Sequence, residues 1–72
     1  MASSKEAKFD RFKLEYLLKK NEISKQDLME AEDWSENTYY RKLSGENRWY
    51  VTETNVLIKL GLDLTDIIDI FF

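Results

Sequence analysis

Cysteine, histidine and proline are all absent from this chain, and glycine occurs only twice. Without cysteine neither a disulfide framework nor a thiolate metal site can form, and the lack of histidine removes the other usual zinc ligand. The same absences leave no thiolate nucleophile, and no imidazole for proton transfer or for activating a hydroxyl. Two glycines do not make a phosphate-cradling loop, so no enzyme is expected. Asp63, Asp66 and Asp69 recur at intervals of three. A calcium loop needs a glycine at its bend, which is missing, and a solvated helix face accounts for them. No cofactor, metal or small-molecule substrate is expected. The longest apolar run falls far short of the roughly 20 residues of a membrane span, and the opening MASSKEAK lacks the apolar stretch of a signal peptide. These features predict a soluble, cytoplasmic protein without membrane contact.

With 72 residues, one domain and one small core are expected, close to the lower limit for folding without staples. The net charge of −3 has the wrong sign for a typical nucleic-acid binder. Its distribution is uneven. Residues 1–25 hold seven Lys/Arg against four acids, residues 26–46 hold two against six, and residues 47–72 hold two against four.

No alternating run supports a strand and no repeat is visible, so the class is all-α. Residues 1–8 read as a flexible tail, and residues 9–72 as the domain. Phe9 to Lys20 interleaves apolar and charged residues with a period near 3.6, and its aromatics are expected in the core. Ser24 and Ser35 each precede a short periodic segment, Lys25–Glu32 and Glu36–Leu43, and each can cap its first turn. Leu28, Met29 and Ala31 form the expected buried stripe of the first, and Tyr39 and Leu43 that of the second. A tight turn falls at Asp33 and Trp34. This is the layout of a helix-turn-helix whose second helix presents Glu36, Asn37, Tyr40 and Arg41 outward. Gly45 is placed as a left-handed terminator. Beyond the loop, Thr52 is the expected cap of a fourth helix, Glu53–Leu60, with Val56, Leu57 and Leu60 inward. Asp63 is the expected cap of a fifth, Leu64 to about Ile70, with Leu64, Ile67 and Ile68 inward.

The run SKQDLMEAEDWSENTYYRKLSG resembles the lambda-repressor/Cro-type helix-turn-helix. TYYRKLSGENRW followed by IIDIFF resembles the small Cro-like regulators of phages of Gram-positive bacteria. The likeness spans about Leu14 to Phe72 and is most specific at Ser35, Thr38, Tyr39, Arg41 and Gly45. It departs from the family at Asp33, Met29 and Glu32, where Gly, Ala and Leu are usual. Where relatives often pair a basic residue of helix one with a Glu near the end of helix three, this chain has Leu18 and Leu43. The resemblance implies a compact five-helix lambda-repressor-like domain in a bacterial host cell, acting on a lysis/lysogeny-type switch through double-stranded operator DNA.

Carried over residue by residue, Glu36, Asn37, Tyr40 and Arg41 would face bases: Arg41 suits guanine, Asn37 adenine and Glu36 the cytosine amino group. Ser24, Lys25, Gln26, Ser35, Lys42 and Arg48 would contact phosphate. Two plainer readings stay beside these. Glu36 and Asn37 also suit a solvated first turn, and Arg48 a solvated loop charge. Trp49 and Tyr50 cover the core or form an interaction surface. Of Phe71 and Phe72, one is expected to pack and the other to meet a partner. These four residues define a candidate protein interface, for a homodimer or for a complex with a phage repressor. The alternative function is a modulator of the same fold, an antirepressor or co-repressor, that binds a partner repressor instead of DNA alone.

Overall fold

The computed structural model describes residues 9–72, and the tail expected at residues 1–8 lies outside them. Among the described residues there are five α-helices and no strand: α1 Arg11–Lys20, α2 Lys25–Glu32, α3 Glu36–Ser44, α4 Val51–Leu60 and α5 Leu64–Phe71. None is long and apolar enough to cross a membrane.

Helix starts follow the polar caps. Asp10, Ser24 and Ser35 each accept the backbone N–H three residues on, filling one of the donors that a helix leaves orphaned. The α2 start is doubly closed, because the Asp27 carboxylate also accepts the Ser24 N–H. Two helix ends use left-handed residues, Asp33 at φ 62° after α2 and Gly45 at φ 88° after α3. A side chain at Gly45 would also press against the Phe9 ring, 3.1 Å away.

The fourth helix begins earlier than expected. Tyr50, not Thr52, precedes the first turn, and the Glu53 carboxylate reaches back to accept the Tyr50 N–H at 2.8 Å. A carboxylate three residues inside the helix thus supplies the capping contact that the threonine was expected to make.

The helices pack in a closed cycle, α1 on α3, α3 on α2, α2 on α4, α4 on α5, and α5 back on α1. The Asp10 N–H donates to the Ile70 carbonyl at 2.8 Å and Lys13 pairs with Asp69 at 3.3 Å, fastening the two ends of the cycle. Inside lie Leu14, Leu17 and Leu18 of α1, Leu28 of α2, Leu43 of α3, Leu57 of α4, Leu62, and Ile67 and Ile70 of α5. Leu18 and Leu43 both belong to this core.

Several inward assignments are corrected. Phe12 and Tyr16 are 74% and 62% exposed, because α1 turns Leu14, Leu17 and Leu18 to the core and these two aromatics lie on the opposite side. Ala31 is exposed and Met29 half-buried, leaving Leu28 as the buried residue of α2. On α5, Ile67 and Ile70 are buried while Leu64 and Ile68 face solvent. The helix phase is set by Phe71 stacking on Phe9, centroids 5.5 Å apart, together with the Lys13–Asp69 pair.

Candidate nucleic-acid interface

The α2–α3 corner is rigid by construction. Ser24 fixes the start of α2, left-handed Asp33 ends it, and the Trp34 N–H closes on the Met29 carbonyl at 2.9 Å. The Ser35 hydroxyl both accepts the Thr38 N–H and donates to the Thr38 hydroxyl. The expected phosphate contacts Ser24 and Ser35 are thus occupied as caps, and Gln26 donates to Glu30 at 2.7 Å.

Glu36, Asn37, Tyr40 and Arg41 are all exposed along the N-terminal part of α3, over half-buried Tyr39 and buried Leu43. Three of the expected site residues converge. The Lys25 ammonium donates to the Glu36 carboxylate at 2.6 Å and to the Tyr40 hydroxyl at 3.0 Å. Glu36, and then Tyr40, hold the lysine pKa well above its ordinary value, and the lysine holds the Glu36 carboxyl below the usual carboxylate range. The guanidinium groups of Arg41 and Arg48 belong to none of the ion pairs among the described residues. The loop carrying Arg48 is pinned to the end of α3 by the Asn47 N–H on the Arg41 carbonyl, 3.1 Å.

Lys42 does not belong to the phosphate set. It is 5% exposed, and its ammonium donates to the Glu53 carboxylate at 2.8 Å and to the Arg48 carbonyl. Its direction is inward because α3 turns this residue toward α4. A largely buried ion pair thus ties α3 to α4.

The candidate protein interface divides. Trp49 is half-buried, donates its indole N–H to the Lys42 carbonyl, and meets Trp34 edge-on and Phe71 at 5.0 Å. Phe71 is likewise packed, so these two cover the core. Tyr50 and Phe72 remain 60% and 68% exposed beside a shallow groove that Arg48 and Val51 also line.

Arg11 and Lys19 of α1 escaped the sequence reading. They flank a second groove, between α1 and α3, with Tyr39, Tyr40 and Ser44. Arg11 is paired with Glu15 at 3.2 Å. The basic character of residues 1–25 was the signal, but only the α1–α3 packing shows which cations reach the α3 flank.

Beneath the corner, Glu32 joins Lys42 and Glu53 in a polar knot. One Glu32 carboxylate oxygen is buried without a hydrogen-bond partner. Burial first, and then the Glu53 charge, push its pKa up to about 7, against the pull of Lys42. Because the folded state binds this proton more tightly than the unfolded chain does, the stabilisation is complete below about 4.5 and is lost as pH rises through about 7. Wild-type stability, followed by urea unfolding, should decline across that window. Glu32→Gln should flatten the profile and be more stable at alkaline pH by about 1 kcal/mol. That is the low end for an unsatisfied polar group, because the side chain is only partly buried.

Comparisons with protein-family models, with curated proteins and with solved structures find no match.

Proposed function

We propose that this chain is a phage-type transcriptional regulator with a lambda-repressor/Cro-like helix-turn-helix, which inserts α3 into the DNA major groove to control a lysis/lysogeny-type switch. The observation that carries this reading is the exposed row Glu36, Asn37, Tyr40 and Arg41 on a short helix capped at both ends. Arg41 contacts guanine, Asn37 contacts adenine, and the loop cation Arg48 holds phosphate. With Lys42 internal and Lys25 engaged by Glu36, Arg41 and Arg48 are the unpaired cations that α3 and its following loop offer DNA among the described residues. One subunit should therefore lose affinity with about the second power of salt concentration. Two copies on a two-fold site supply the binding strength that one lacks.

The test is fluorescence anisotropy on duplexes enriched from a random pool by the wild-type protein. Arg41→Ala should weaken binding by about 10- to 100-fold and relax the sequence preference at one position. Equal binding by wild type and this variant would remove Arg41 from the interface.

A second reading is favoured by exposed Tyr50 and Phe72 beside the loop groove and by the acidic surroundings of α3. Here the same domain binds a partner repressor and changes its operator occupancy. A mobility shift in which the chain alone retards no operator DNA, yet alters the shift given by the neighbouring repressor, would select this reading over the first.

A further inference from the structure

Lys25 stands at the first position of α2 and Glu36 at the first position of α3. Both helix starts are fixed by serine caps, so these two side chains meet across a rigid corner. The ammonium is held at 2.6 Å by the carboxylate and at 3.0 Å by the Tyr40 hydroxyl, and it lies 5.0 Å from the centre of the Tyr40 ring. Two of its three donors are thus taken up from the α3 side. At the distance of a Debye length the pair is nearly neutral, and a phosphate that approaches Lys25 meets the Glu36 charge as well.

Resting on the DNA reading above, we propose that Glu36 is a specificity-determining residue that keeps the Lys25 charge out of sequence-independent phosphate contacts. A carboxylate held toward DNA repels every duplex alike, whereas a site that offers a cytosine amino group opposite it recovers part of the loss. Weak binding to arbitrary DNA leaves discrimination to Asn37 and Arg41. Affinity and selectivity are therefore traded at one side chain.

The experiment measures anisotropy on a random-sequence duplex of about 30 base pairs and on a duplex enriched from a random pool, from about 50 to about 200 mM potassium chloride. E36Q should bind the random duplex about 10-fold tighter at the low salt. Its affinity should then fall with a salt slope steeper by about 0.9, an extra loss of about 3-fold over the range. The enriched duplex should respond less, narrowing the ratio between the two. Glu36→Ala should show the same steepening, and circular dichroism checks that both variants fold. K25M/E36Q should return to the wild-type slope.

An unchanged slope in both Glu36 variants, with Arg41→Ala still weakening binding, overturns this proposal and leaves the DNA reading intact. A steeper slope that persists in K25M/E36Q also overturns it, because Lys25 is then not the charge released. No binding by wild type and E36Q alike overturns the DNA reading and this proposal together.

Discussion

Replacing Lys42 with alanine should lower the unfolding free energy by about 3–5 kcal/mol, the range for deleting one partner of a buried ion pair. The ammonium is enclosed on every side. It reaches the Glu53 carboxylate at 2.8 Å and the Arg48 carbonyl, and it lies over the rings of Trp34 and Tyr50, 5.7 and 4.7 Å from their centres. Its loss leaves Glu53 with only the Trp34 indole N–H and the Tyr50 N–H as donors, with the half-buried Glu32 carboxylate nearby. Two acids would then share a seam with no cation. The double variant Lys42→Met with Glu53→Gln, which removes both charges and keeps the volume, should recover a large part of the loss. Urea unfolding at pH 7 is the measurement. A loss below about 1 kcal/mol would place the pair in the same class as a solvated surface bridge.

Leu57→Ala should destabilise by about 2–5 kcal/mol. Leu57 has no exposed surface and sits where α4 faces both α2 and α5. A cavity there cannot collapse from one side without disturbing the other. For a domain of this size the whole stability is roughly 4–11 kcal/mol, so the variant should unfold at far lower urea and with a much lower melting temperature. Leu64→Ala, on the solvent side of α5, is the control and should stay within about 0.5 kcal/mol. Similar losses in the two would contradict the phase of α5 described above.

That phase marks the limit of what the sequence discloses. Polar caps and left-handed ends are local, each needing one side chain and its own backbone, and Ser24, Ser35 and Gly45 mark their helices in the sequence as they do in the structure. The start of α4 was misplaced because the capping group is the Glu53 carboxylate reaching backward, while Thr52 offered the more familiar signal. In α5 most residues are apolar, so periodicity points in several directions at once and only the contact with Phe9 and Lys13 selects one. The outward row on α3 is legible because Tyr39 and Leu43 leave one side free. Lys42 is not: its carboxylate partner lies eleven residues away across a loop, and nothing in the intervening residues signals that the two meet.

Trp34 and Trp49, the two tryptophans of the chain, lie edge to face with centroids 5.1 Å apart. At that separation their excited states couple, so the near-ultraviolet circular dichroism of the native protein should carry a paired band that neither indole gives alone. Its amplitude depends on the orientation between the turn after α2 and the loop before α4, and it vanishes when that seam opens. The molecule thus carries its own optical gauge of the corner beneath α3, readable without a label.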